Sequence, residues 1–234
     1  MIIAIDGTSG SGKSTLAKAL AKQLNFGFFS AGAFYRAITV KALDLKIAET
    51  DDEKLLEMIN ETEITYTFDG TKNVMILDGI DVSERLHNEQ ISSNVAKYSC
   101  KPYIREFVRK LQKEVANNNE NIVMEGRDIG SVIFPNADLK IYVDCTAEER
   151  ARRRFADYSV TDKTITLEDI VKDLKDRDFR DMHREISPLV MCENALLIDT
   201  TSLPVQECLK RIYNEMLKRN LATREFFEKR NIEI

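Results

Sequence analysis

Short apolar runs alternate along this chain with stretches whose apolar residues recur every three or four positions. Ile2 to Ile5, Phe28-Phe29, Ile122-Val123-Met124, Leu139 to Val143 and Leu196-Leu197-Ile198 are short and bounded by Asp, Gly or Asn. They read as buried parallel strands, because a strand covered on both faces needs no polar alternation. Helical spacing falls at about 13–24, 33–46, 52–61, 103–116, 147–158, 167–184 and 205–219. The alternation predicts a three-layer α/β/α sandwich around a parallel central sheet. In such sheets ligands bind beyond the carboxyl ends of the strands.

One segment breaks the pattern. Ile64 to Phe68, then Asp69-Gly70-Thr71-Lys72-Asn73, then Val74 to Leu77 read as strand, turn and strand, with a second Asp-Gly turn at Asp78-Gly79. This hairpin is either decoration at a sheet edge or part of a mobile subdomain that closes over a substrate. The tail from Leu217 to Ile234 carries Leu221, Phe226, Phe227, Ile232 and Ile234 among basic residues. It reads as a short helix packed on the domain or as a partner contact.

Composition narrows this picture without choosing a function. At 234 residues, 43% hydrophobic and 31% charged, the chain suits one elaborated globular domain. A net charge of −5 favours neither a nucleic-acid polymer nor a membrane surface as partner, so any anion site must be local. Cys100, Cys145, Cys192 and Cys208 are scattered and have no ligand-like spacing to His87 or His183. They are expected to be reduced thiols, with no zinc site. With the first strand expected from residue 2, no signal peptide is expected, and no later apolar run approaches membrane-spanning length. A cytoplasmic monomer is the expectation.

The chemistry begins where the first strand ends. Gly7-Thr8-Ser9-Gly10-Ser11-Gly12-Lys13-Ser14 fills the pattern G-x-x-x-x-G-K-[ST] between that strand and the first helix. A strand, a glycine-rich turn and a helix start aim backbone N–H groups and the positive end of the helix dipole at one point, which makes a polyphosphate site. Lys13 is expected to reach the terminal phosphates, and the Ser14 hydroxyl to help hold Mg²⁺. A flexible Gly/Ser turn would match the pattern equally, but without the flanking strand and helix.

A phosphate loop alone does not separate a kinase from a GTPase or a mechanical ATPase. No N-K-x-D guanine motif occurs in the chain, which disfavours a GTPase. Arginines carry the next step. On the helix expected over 167–184, Arg177, Asp181 and Arg184 fall at i, i+4 and i+7, with Arg180 at the margin of that face. Arg150, Arg153 and Arg154 lie roughly on one side of the preceding helix, beside Arg152. Either group could be a solvated ion-pair face, since Asp173, Asp176 and Asp178 are close by. Arg36, Arg105, Arg127 and Asp128 add further polar groups near expected strand ends and helix starts. Phosphoryl transfer depends on positioning and on neutralising charge over equatorial oxygens, and planar guanidinium forks do both.

Taken with their order, these motifs resemble the bacterial cytidylate kinases over nearly the whole chain. The similarity rests on Ile3-Ala4-Ile5-Asp6-Gly7 with Ser9 to Thr15, and on Gly32-Ala33-Phe34-Tyr35-Arg36. It continues through Glu125-Gly126-Arg127-Asp128-Ile129-Gly130 to Pro135, Glu148-Glu149-Arg150-Ala151 with Arg153-Arg154, Arg177-Asp178 with Arg180-Asp181 and Arg184, Ser187-Pro188-Leu189, and Ile198-Asp199-Thr200-Thr201. The resemblance implies a P-loop NTPase fold that transfers the γ-phosphoryl of ATP, with Mg²⁺, to CMP or dCMP. It implies one kinase domain with a core of 1–35, 97–147 and 186–234, a monophosphate-binding insertion at about 36–96, and a lid and arginine helix at about 148–185.

By matching position, Gly7, Thr8, Ser9, Gly10, Ser11, Gly12, Lys13, Ser14 and Thr15 would cradle ATP, with Arg154 and Arg150 reaching it as a lid over about 150–161 closes. Arg36, Arg127, Arg177 and Arg184 would hold the acceptor phosphate, Asp181 the acceptor sugar, and Arg105 and Asp128 the cytosine edge, with Tyr35 beside the acceptor. Lys13, Arg127, Arg154, Arg177 and Arg184 are the groups expected to carry the transfer. A carboxylate at Asp128 would accept from the cytosine amino group and repel the uracil carbonyl.

The sequence departs from the family pattern in one region. Where the family has Asp-[Ser/Thr]-Gly-Ala before the tyrosine, this chain has Ser30-Ala31-Gly32-Ala33, and Ala96 stands where a serine commonly contacts the base. Glu125 replaces a frequent Asp. Another small-molecule kinase on the same scaffold, or a non-catalytic nucleotide sensor, is the alternative reading.

Overall fold

A computed structural model of the protein describes residues 1–68, 72–158 and 166–234. In chain order the elements are β1 (Ile2–Gly7), α1 (Lys13–Leu24), β2 (Gly27–Ser30), α2 (Ala31–Asp44), α3 (Asp52–Asn60), β3 (Ile64–Phe68), β4 (Asn73–Leu77), β5 (Ile80–Asp81) and α4 (Glu89–Ser99). Then follow α5 (Pro102–Asn117), β6 (Ile122–Gly126), β7 (Leu139–Asp144), α6 (Ala147–Tyr158), α7 (Leu167–His183), β8 (Leu196–Asp199), α8 (Val205–Lys218) and α9 (Arg224–Glu228). The chain divides into two units, Met1–Phe26 with Val123–Ile234, and Gly27–Ile122.

In the first unit the strands lie in the order β6-β1-β7-β8. β1 runs parallel to β7, with Ile3 opposite Leu139 and Gly7 opposite Val143, and β7 runs parallel to β8 from Ile141 against Leu196 to Asp144 against Asp199. Ile3, Ile5, Leu139, Val143 and Ile198 are fully shielded, as continuous apolar runs in a parallel sheet require. Along α1, Leu16, Leu20 and Leu24 with Ala17 and Ala21 form the buried stripe, and Asn25 closes the helix in a left-handed conformation (φ 56°). Helix α8 packs on α1 through a stripe that includes Leu209, Ile212 and Met216. The tail forms α9, where Phe227 is buried against Tyr213 and the Arg230 Nε donates to the Leu24 carbonyl at 3.0 Å. Of the two readings of the tail, the packed helix is the one observed.

In the second unit, α2 buries Phe34, Ala37 and Ile38. The Tyr66 ring meets Phe29 and Phe34 edge-on at 5.4 and 5.0 Å, and its hydroxyl accepts from the Ser30 N–H at 3.4 Å. β3, β4 and β5 form an antiparallel sheet. Asp78 and Gly79, at φ 49° and 81°, turn β4 into β5 as a two-residue hairpin loop demands. The expected turn at 69–71 and the end of the lid at 159–161 lie outside the described residues.

Two differences from the sequence reading matter. Helix α7 stops at His183, one residue short of the expected bound, and Arg184 is its C-cap (φ −64°, ψ 141°); with φ still helical its side chain leaves in phase with Arg177 and Asp181, and only the chain beyond it turns away. Helix α4 was absent from the expected helices. Asn88 caps it by accepting from the Ile91 N–H at 2.8 Å, and Ile91, Val95 and Tyr98 supply a helical spacing diluted by serines.

Candidate active site

The loop between β1 and α1 is built from backbone conformations that only glycine takes without strain. A Cβ at Gly7 would lie 2.0 Å from the Val143 carbonyl oxygen, and Gly12, at φ 82°, is the left-handed N-cap of α1. With no side chain capping that helix start, its N–H groups remain available to an anion. The loop is braced from behind. Ser11 Oγ donates to the Thr8 carbonyl at 2.9 Å, Thr200 Oγ1 to the Ser11 carbonyl at 2.8 Å, and Thr8 Oγ1 to Asp144 at 3.3 Å.

Lys13, only 6% exposed, donates its ammonium to the Thr8 carbonyl at 3.1 Å. Burial draws its pKa down to about 7; Arg127 and Arg177 lower it further, while Glu125 and Asp181 act in the opposite sense. A buried lysine held among guanidinium groups is a site short of negative charge. A polyphosphate supplies that charge. Ser14, exposed in the first turn of α1, and the buried carboxylate of Glu125 offer the hard oxygens that Mg²⁺ takes. The residues present therefore fit that ion.

The arginines divide into two kinds. Arg150, 5% exposed, is fully engaged: Nε donates to the Cys145 carbonyl at 2.8 Å, Nη1 to the Ser9 carbonyl at 2.8 Å, and Nη2 to Asp178 at 2.6 Å. Asp178 also accepts from the Ser9 N–H at 3.4 Å. In this structure Arg150 thus ties the phosphate loop to α7. Arg153 reaches the Thr200 carbonyl at 2.6 Å, and Arg154 lies 3.7 Å from Asp173.

The second kind faces the loop's lysine. Arg127 Nε donates to Asp181 at 2.9 Å, and Arg184 lies 3.7 Å from Asp128 while donating to the Ser187 carbonyl at 2.5 Å. The Leu189 N–H donates to the Asp181 carbonyl at 2.8 Å, which folds the segment after α7 back along the helix end. Arg127, Arg177 and Asp181 all act on the charge of Lys13. So Arg127, Asp128, Arg177, Asp181 and Arg184 gather in one unit with the loop, and the carbonyl of Ser187, where the chain takes a left-handed turn (φ 53°), accepts from Arg184.

Tyr35, Arg36 and Arg105 belong to the second unit. The Arg105 guanidinium, 4% exposed, lies 5.5 Å from the Tyr35 ring centroid and donates to the Ser99 carbonyl at 3.2 Å. Arg36 Nη1 donates to the Leu86 carbonyl and to Ser92 Oγ, each at 2.8 Å. Ala31 is buried at the first position of α2, and Ala96 is exposed one turn beyond Ser92 on α4.

Three residues in this region carry connections that sequence reasoning assigned to none of them. Asp6, Asp178 and Thr200 all lie inside the motifs quoted above, but each also has a partner 123 to 189 positions away. Asp6 is 4% exposed, and its two oxygens accept from the Ile129 N–H at 2.8 Å and the Gly130 N–H at 2.7 Å.

A strand, a glycine loop and a helix start around a charge-starved lysine, with arginines on the facing side, define a P-loop phosphotransferase. The family model for cytidylate kinase matches residues 3–218. A cytidylate kinase of Desulfitobacterium hafniense is 42% identical over 210 residues, covering 90% of each chain. One of Caldanaerobacter subterraneus is 42% identical over 216 residues, covering 92% of this chain and 94% of that one. The chain belongs to the cytidylate kinase family. Among solved structures, TT1252 from Thermus thermophilus aligns with a TM-score of 0.51 at 20% identity, covering 95% of this chain and 98% of that one, a likeness of fold. Among the described residues no helix is long and apolar enough to cross a membrane.

Proposed function

We propose that the protein transfers the γ-phosphoryl group of ATP to CMP or dCMP, yielding ADP and the cytidine diphosphate. The observation that carries this reading is Lys13, buried in the loop of a cytidylate kinase family chain with its charge opposed by Arg127 and Arg177. A bound triphosphate returns that lysine to its protonated form and takes hydrogen bonds from the loop amides. Ser14 and Glu125 would hold Mg²⁺, which when bound neutralises charge on the phosphate oxygens. Arg127, Arg177 and Arg184 grip the acceptor phosphate. Arg154 steadies the developing charge on the moving phosphoryl. No general base is required, because the acceptor phosphate is already an anion at neutral pH.

Asp181 takes the acceptor sugar, and Asp128 reads the cytosine edge. Discrimination against uracil follows from leaving Asp128 facing a carbonyl, a buried mismatch of acceptors. The four cysteines, none in a disulfide, suit a reducing cytoplasm. A coupled ADP-release assay with ATP and CMP, dCMP, UMP or AMP tests the reading. CMP or dCMP is expected to give the highest kcat/KM, and faster turnover of AMP or UMP would overturn the acceptor assignment.

A further inference from the structure

The carboxylate of Asp6 is the last side chain of β1 before the phosphate loop, and no step of the transfer uses it. Its two oxygens are spent on two consecutive amides, those of Ile129 and Gly130. Those amides open a single wide turn: the Val132 and Ile133 N–H groups both return to the Asp128 carbonyl, at 2.9 and 3.1 Å, and the Phe134 N–H reaches the Ile129 carbonyl at 2.7 Å. A five-residue return of this kind is uncommon and tends to occur at functional positions. Here it directly follows Arg127 and Asp128. Gly130 lies close beside the clamp: a Cβ there would come to ordinary contact distance, 3.4 Å, of Asp6 Oδ2 and within 3.2 Å of the flexible Lys140 stem.

We propose that Asp6 is a positioning residue that fixes Arg127 and Asp128 for the acceptor by clamping the Ile129 and Gly130 amides to the root of the phosphate loop. The inference rests on the acceptor roles of Arg127 and Asp128 given above. A carboxylate is suited to the task because both its oxygens accept, whereas a neutral isostere presents one acceptor and one donor. Burial pushes the Asp6 pKa up to about 6, against the pull of the two amides, so the group is largely ionised at neutral pH and both bonds stand. The consequence is a division of labour between two adjacent residues: Gly7 begins the donor cradle, and Asp6 one position earlier sets the acceptor side.

The test is Asp6→Asn, in which the amide nitrogen meets a backbone N–H donor. The kcat/KM for CMP is expected to fall by at least about tenfold, and the CMP over UMP preference with it, while the directly measured ATP affinity moves less than about threefold. Asp6→Glu is the second variant, keeping two acceptor oxygens on a stem one methylene longer; it is expected to lose less CMP kcat/KM than Asp6→Asn. A merely structural role would lower ATP affinity and CMP turnover together, and that result overturns the proposal. So does a CMP kcat/KM unchanged in both variants. If the unmodified protein fails to phosphorylate CMP, the acceptor reading falls. The clamp is then judged by hydrogen exchange at the Ile129 and Gly130 amides, which must speed up in Asp6→Asn if Asp6 holds them.

Discussion

Lys13 Nζ donates to the Thr8 carbonyl at 3.1 Å, a neutral partner from its own loop, in surroundings that draw its pKa down to about 7. ATP binding should therefore take up a proton. At pH 8 calorimetric titrations in buffers of different ionisation enthalpy are expected to report an uptake of about one proton. Lys13→Ala should abolish the uptake and lower kcat severely without unfolding the protein. The sign for stability runs the same way: between about pH 7 and 10.5 the unfolded chain holds this proton and the folded apoprotein does not, so Lys13 makes the apoprotein gain stability as pH rises through that window.

The Arg150–Asp178 pair, at 2.6 Å and almost wholly buried, should behave as a structural tie. Arg150→Ala leaves Asp178 buried without its ion partner, a change that costs about 3–5 kcal/mol, or a melting temperature lower by roughly 6 to 20 °C. The paired replacement Arg150→Met with Asp178→Leu should recover much of that stability. An Arg150→Ala protein that melts normally but binds ATP weakly would instead place this guanidinium on the nucleotide.

Ala31 stands where the resemblance to the cytidylate kinases implies a hydroxyl. Ala31→Ser restores it at the first position of α2, and the KM for CMP should fall between about two- and tenfold, the worth of one hydrogen bond. An unchanged KM would show that the acceptor is held without a group at this position.

Acid should expose Asp6 kinetically. Its carboxyl titrates near 6, raised by burial first and by Asp128, and lowered by the amides of Gly130 and Ile129 and by Arg127; Tyr142 on β7 also feels its charge, and the Lys140 stem lies beside Gly130. A phosphate monoester loses its second proton near pH 6 as well. Below that pH, log kcat/KM for CMP should fall with a slope approaching two, and with a slope of one in Asp6→Asn. Stability moves oppositely: a folded pKa above the unfolded 3.8 favours the folded state below about pH 4, and that contribution is lost as pH rises through 6.

What the sequence made legible was local. The phosphate loop could be read because a strand, three glycines, a lysine and a helix start are contiguous, and α1 kept the expected bounds of 13–24. The parallel strands were legible for the same reason, as short apolar runs with polar ends. Long-range ties were not. Asp6 reads only as the polar end of a strand until Ile129 and Gly130 arrive 123 and 124 residues later, and Arg150 reads as a solvated basic residue or an ATP ligand until Ser9 and Asp178 close around it. The helical spacing of Arg177, Asp181 and Arg184 carries through the C-cap, where φ is still −64°, but the hydrogen bond from Arg184 to the Ser187 carbonyl is not readable from spacing.

Identification of the products tests the central claim most directly. Phosphorus NMR of the protein with ATP, Mg²⁺ and CMP should show CDP and ADP accumulating in equal amounts, with no inorganic phosphate until CMP is spent. ADP and inorganic phosphate appearing without CDP would contradict the account, because the loop would then serve hydrolysis and the arginines would hold no acceptor.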